Sequence, residues 1–134
     1  MNVPEHLQVH ETPTSFIWVD ENGILIAIGK DNVVTKPTPE DQEEQNRQFL
    51  EIFGKTRRCM LLELKHAQPS STQEQKKSAK LLEELTKAMA VIIHNPLGRM
   101  IINVFVGLQK PSYPIKIFKP KEEDKAIEWL KQYL

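Results

Sequence analysis

The sequence predicts an α/β domain built on a mostly parallel sheet, with an antiparallel hairpin at its N-terminal edge. Three observations lead there. Ala88 to Leu108, AMAVIIHNPLGRMIINVFVGL, reads as a buried strand, a turn, and a helix that is apolar over most of its circumference. From Cys59 onward, short apolar runs alternate with helical stripes, the pattern of strand–helix–strand units. Near the N-terminus, Asn22-Gly23 separates two apolar runs, the strongest short hairpin signal a sequence carries.

The elements follow in order. Residues 1–14 contain Pro4 and Pro13 and little periodicity, so they are expected to form a flexible tail ahead of a single domain over residues 15–134. Phe16-Ile17-Trp18-Val19 and Ile24-Leu25-Ile26-Ala27-Ile28 are the hairpin strands. Asp31 to Lys36 is a connector with an extended piece at Val33-Val34. Thr38 and Pro39 open a helix as N-cap and first helical residue, and Glu40 and Asp41 suit the positive end of its dipole. Its apolar residues, Phe49, Leu50, Ile52 and Phe53, fall in the last turns, so its first half projects along solvent; Gly54 ends it.

Cys59 to Leu64 is the next strand. Ser71-Thr72-Gln73-Glu74 has capping-box spacing, and behind it Ala79, Leu81, Leu82, Leu85 and Ala88 form a helical stripe. A strand over Val91-Ile92-Ile93 and a helix from Pro96 to Leu108 follow. Ile115 to Phe118 is the last strand, and Glu122 to Leu134 the last helix, with Ala126, Ile127, Leu130 and Leu134 on its inner face. Trp129 and Tyr133, four residues apart, share a flank. The order is β-β-α-β-α-β-α-β-α, with right-handed crossovers between the parallel strands.

Composition narrows the function. Lys plus Arg and Asp plus Glu number 18 each, so the formal net charge is zero and gives no electrostatic case for nucleic acid or an acidic membrane. The single cysteine, Cys59, has no internal disulfide partner, which fits a reducing, cytoplasmic setting. No signal peptide is expected, since no cationic start precedes an apolar block. A membrane span over Ala88 to Leu108 would place Arg99 near the bilayer centre at roughly 2.5–3.5 kcal/mol, a cost that a strand, an Asn95-Pro96 turn and a helix avoid.

Catalytic motifs are scarce. The sequence contains no G-x-G-x-x-G, P-loop, H-E-x-x-H or G-x-S-x-G pattern. Cys59 opens its strand while His66 lies just past the end, about 20 Å away at roughly 3.3 Å per residue, too far for a nucleophile and its base. Cys59 therefore reads as a small buried apolar residue. His66 and His94 both fall at strand ends, on the carboxyl edge where open α/β sheets hold ligands. Two histidines without a third ligand make a poor metal site, and no metal or cofactor is expected. Ser70, Ser71 and Thr72 stand before a helix, where they act as caps or as phosphate acceptors. On the Pro96 to Leu108 helix, Leu97, Met100, Ile101, Val104, Phe105 and Leu108 fill one face. Either the sheet and a neighbouring helix bury that face, or its excess meets a partner or an apolar ligand. Arg99 and Asn103 mark the wet side.

The C-terminal run FVGLQKPSYPIKIFKPKEEDKAIEWLKQYL resembles the ending of small bacterial STAS/SpoIIAA-like proteins. The matching residues are Asn103 and Phe105, Lys110-Pro111 with Pro114, Phe118, and Ala126 to Leu130. The hairpin at Asn22-Gly23 and the strand Leu61 to Leu64 fall in the corresponding order, so the resemblance spans residues 15–134. It implies a STAS/SpoIIAA-like fold and a role akin to anti-sigma-factor antagonists, which are switched by phosphate on a serine of a D-S-S-G motif. Ser71 and Thr72 occupy that position here, without the Asp and Gly. The fold is also similar to lipid-binding SEC14-type modules.

The expected function is a non-enzymatic regulatory or protein-interaction module, acting on a partner protein or as a homodimer. The alternative is a carrier of a small apolar ligand or lipid on the Pro96 to Leu108 helix. An enzyme using His66, His94 and Glu63 ranks third.

Overall fold

The structure is a computed structural model. It describes residues 1–12, 15–31, 38–65 and 72–134, without the side chains of Asp41, Thr72, Glu74 and Gln75. Its elements are β1 (His10–Glu11), β2 (Ser15–Val19), β3 (Leu25–Gly29), α1 (Pro39–Phe53), β4 (Arg58–Leu64), α2 (Thr72–Leu85), β5 (Thr86–Ile93), α3 (Pro96–Gln109), β6 (Ile115–Phe118), a 3₁₀ turn (Pro120–Glu122) and α4 (Glu123–Lys131).

One six-stranded sheet runs in chain order from β1 to β6. The β1–β2 and β2–β3 pairs are antiparallel, and β3 through β6 are parallel, as expected of a mostly parallel sheet with an antiparallel edge. The hairpin turn is built by Asp20, whose carboxylate accepts the N–H groups of Asn22 and Ile24, both at 2.9 Å. Gly23 completes it at φ +84°, a conformation that costs other residues a Cβ clash. Gly54 does the same at the end of α1, at φ +68°.

Period-2 alternation splits the core into two layers. On β5, Ala88, Ala90 and Ile92 face one way, with Cys59 and Leu61 of β4 and with Ala126 and Leu130 of α4. Met89, Val91 and Ile93 face the other way, where Phe49, Phe53, Leu81, Leu82, Leu85 and Ile102 of α1, α2 and α3 pack. The paired alanines, fully buried, let α4 come close to the sheet. Cys59 is 1% exposed and its Sγ lies 3.6 Å from the Leu130 carbonyl; burial pushes its thiol pKa up.

Four expectations are corrected. First, the segment read as a tail is tied to the sheet: His10 and Glu11 pair with Ile17 and Phe16, and Leu7 and Val9 pack on the α4 layer. Second, α2 stops at Leu85 and passes straight into β5, so Ala88 is a strand residue paired with Cys59 rather than the end of a helical stripe. An alanine at i+3 suits either element, and the pairing with β4 decides. Third, α4 ends at Lys131, which leaves Leu134 54% exposed instead of on the inner face. Fourth, the wet side of α3 is not confined to Arg99 and Asn103, as described below. The extended piece expected at Val33-Val34 lies outside the described residues.

Candidate functional site

Two features set the C-terminal half apart. The first is α3. Asn95 caps it, its side chain accepting the Gly98 N–H at 3.0 Å, and Pro96 takes the first turn, where a missing N–H costs nothing. Gly98 lets the helix touch the sheet: a Cβ there would lie 2.8 Å from Cγ2 of Ile93. That contact turns Gly98 and Ile102 inward and the apolar face outward. Leu97, Met100, Val104 and Leu108 are 43%, 57%, 46% and 62% exposed. Ile101 and Phe105 are half-buried along the same stripe. The face that the sequence marked as either buried or partner-binding is therefore open.

The second feature lies at the carboxyl ends of β4 and β5. Glu63 points toward the α4 layer and is 3% exposed, between its strand neighbours Ile28 and Ile92. A carboxylate that deep needs a counter-group. His94, just past β5, provides it: Nε2 lies 2.8 Å from Glu63 Oε1. Lys65 Nζ is 3.8 Å from the same oxygen and also holds Asp31 at 2.9 Å. Among the described residues Oε2 accepts no hydrogen bond; the Met1 amino nitrogen is 3.7 Å from it.

Beyond His94 the turn after β5 and the turn after β6 enclose an open cleft of about 500 Å³. Arg99, Lys119 and Lys121 give it positive groups, His94 a polar ring, and Ile117, Phe118 and two prolines an apolar floor. His66 and Ser71, both named as candidates, lie outside the described residues, so the expected meeting of His66 with His94 is not described. Thr72 is the first residue of α2. Among the described residues no group of three or more His, Cys, Asp or Glu side chains has the arrangement of a metal site, and no helix is long and apolar enough to cross a membrane.

The sequence located His94 and placed Glu63 beside it only as a lesser option, because strand alternation alone does not say which face a residue takes. It missed Lys119 and Lys121. They come from a different turn than Arg99, and no spacing along the chain joins them.

Comparison with known proteins agrees with this architecture. The chain belongs to the family described as a domain of unknown function, DUF7793, whose model matches residues 17–134. The crystal structure of an uncharacterized DUF3478-family protein with a SpoIIAA-like fold, from Shewanella loihica PV-4, is similar to it with a TM-score of 0.59. The two share 18% identity, over 97% of this chain and 98% of that one. At that identity the likeness concerns the fold, which is SpoIIAA-like. No curated protein matches the sequence.

Proposed function

We propose that the chain is a non-enzymatic protein-interaction module that docks through the outer face of α3, and that the occupant of this face is a second copy of the chain. The observation that carries the reading is the exposure of Leu97, Met100, Val104 and Leu108 along one stripe. Arg99 is the only charged residue in the 14 of α3, and it lies off that stripe. The formal net charge is zero, so two copies approach without mutual repulsion. An uncharged stripe is self-complementary about a two-fold axis, the commonest symmetry of soluble oligomers.

Energetics set the strength. Fully burying one large apolar side chain contributes about 1.5–3 kcal/mol. Four half-exposed side chains from each copy then supply on the order of 6–12 kcal/mol, against an association cost of about 4–15 kcal/mol. The surplus is at most about 8 kcal/mol, so the dimer is weak, micromolar at its tightest. Sedimentation equilibrium from 10 to about 500 µM tests it. Wild-type protein is expected to rise from 15.5 kDa toward twice that mass, and Met100→Glu to remain at 15.5 kDa. A wild-type chain that stays monomeric throughout overturns the reading. So does a lipid-sized bound mass in native mass spectrometry, which would assign the face to an apolar ligand.

A further inference from the structure

We propose that the cleft between the turn after β5 and the turn after β6 is a binding site for a small organic anion with an apolar body. The inference is independent of the α3 docking face, because Arg99 projects from a different side of that helix than Met100 and Val104.

The cleft's position comes first. It sits at the carboxyl ends of parallel strands, where connecting turns diverge and leave a crevice. Its volume of about 500 Å³ falls within the range of small-molecule pockets, about 300–1,000 Å³. Charge comes second. Arg99, Lys119 and Lys121 line it beside the His94 ring, and among the described residues no carboxylate does. Among the described residues, Arg99, Lys119 and Lys121 form no ion pair with an acidic side chain. Their nearest acidic neighbour in the chain, Glu122, offsets the two lysines only in part: its Oε1 accepts the Lys119 backbone N–H at 2.9 Å, Lys125 lies 3.7 Å from its Oε2, and the charges of Lys119 and Lys121 add to these in holding its carboxyl pKa down. In a chain of zero net charge this is a local surplus of positive groups around a concave surface.

The helix end adds little. Pro96 has no N–H, and Asn95 takes that of Gly98. Side chains therefore carry the recognition. Arg99 offers a planar fork that matches phosphate or carboxylate, and the lysines offer point charges. His94 is a positioning residue. Glu63 engages Nε2 and fixes the ring, which leaves Nδ1 as the nitrogen not held by the carboxylate. Ile117, Phe118 and Pro120 form the floor on which the apolar part of the ligand rests. An inorganic anion fills only the charged half.

Isothermal titration at low salt tests the site with phenyl phosphate, 3-phenylpropanoate, inorganic phosphate and benzyl alcohol as probes. One or both aryl anions are expected to bind at least tenfold more tightly than inorganic phosphate or benzyl alcohol, and the stronger identifies the anionic group. Arg99→Ala/Lys121→Ala is expected to weaken that binding tenfold or more, while Lys80→Ala leaves it unchanged. Both substitutions fall on exposed side chains, and circular dichroism verifies the fold. In nuclear magnetic resonance spectra, the His94 ring signals are expected to move on adding the aryl anion in wild type and not in Glu63→Gln. No saturable binding of either aryl anion below 5 mM overturns the proposal, as does equal binding by the double variant or by benzyl alcohol.

Discussion

Glu63 on β4 and His94 just past the end of the neighbouring parallel strand β5 meet at 2.8 Å, a buried carboxylate closed off by a half-exposed imidazole. The strand register brings them together: Glu63 pairs with Ile92, and the chain turns two residues later. Removing one member leaves the other in a site built for two. His94→Ala removes the one hydrogen-bonded partner of Glu63 and leaves it Lys65 at 3.8 Å and the Met1 amino group at 3.7 Å, so it is expected to destabilise the fold by about 1–3 kcal/mol, the cost of a buried acceptor left without its hydrogen bond. Glu63→Gln keeps the shape and is expected to cost less. Urea unfolding of both single variants and the double variant measures the coupling. Additive costs would mean that the contact contributes nothing.

Tyr113 presents the opposite situation. It is 7% exposed, and its hydroxyl is buried with no hydrogen-bond partner among the described residues. Burial, with a smaller effect from Glu83, pushes its pKa up to about 12. Because the folded pKa lies above the unfolded value of about 10, this contribution is fully present below pH 10 and is lost as pH rises toward 12. Tyr113→Phe is expected to be neutral or slightly stabilising at pH 7, since no hydrogen bond is lost. It is also expected to flatten the fall in stability above pH 10. Thermal unfolding at pH 7 and 11 checks both.

Gly98 holds the register of α3 on the sheet. A methyl group there meets Ile93 Cγ2 at 2.8 Å, so Gly98→Ala is expected to cost about 1–3 kcal/mol through overpacking. Ile93→Val removes the δ-methyl but keeps Cγ2, so it is expected to relieve little of that cost. Ile93→Ala combined with Gly98→Ala is expected to recover part of it, seen as a non-additive melting temperature. Full additivity would place the strain elsewhere.

Asp20 organises the β2–β3 turn through two backbone N–H groups at 2.9 Å each. Asp20→Ala is expected to destabilise by about 1–2 kcal/mol, and Asp20→Asn by less, because the amide oxygen still accepts. Chemical denaturation of the pair distinguishes loss of the turn from loss of a surface charge.

The parallel order was legible because its signals are local. Asn22-Gly23, Gly54 and the Asn95-Pro96 turn each mark a boundary through backbone chemistry, and the boundaries fall where expected. β1 escaped notice because His10 and Glu11 carry no apolar alternation; only pairing with β2 makes them a strand. Thr86 and Lys87 were hidden because α2 enters β5 without a breaker residue, and Ala88 suited both a helical and a strand reading. The α3 face could be seen but not oriented. Its composition is apolar almost all round, and the close approach at Gly98 decides which side faces the sheet. The cleft was the least legible feature: Arg99 and Lys121 are 22 positions apart and converge only through the order of β5 and β6.

The most direct measurement of the α3 reading is covalent capture of one copy by another. Val104 lies mid-stripe and is 46% exposed, while the native Cys59 is buried and out of reach. Val104→Cys under mild oxidation is expected to give a disulfide-linked dimer in intact-mass spectra, reversed by reductant. Lys80→Cys, on the exposed side of α2, is expected to give far less. Equal yields from the two positions, or no dimer from Val104→Cys, would contradict docking through the outer face of α3.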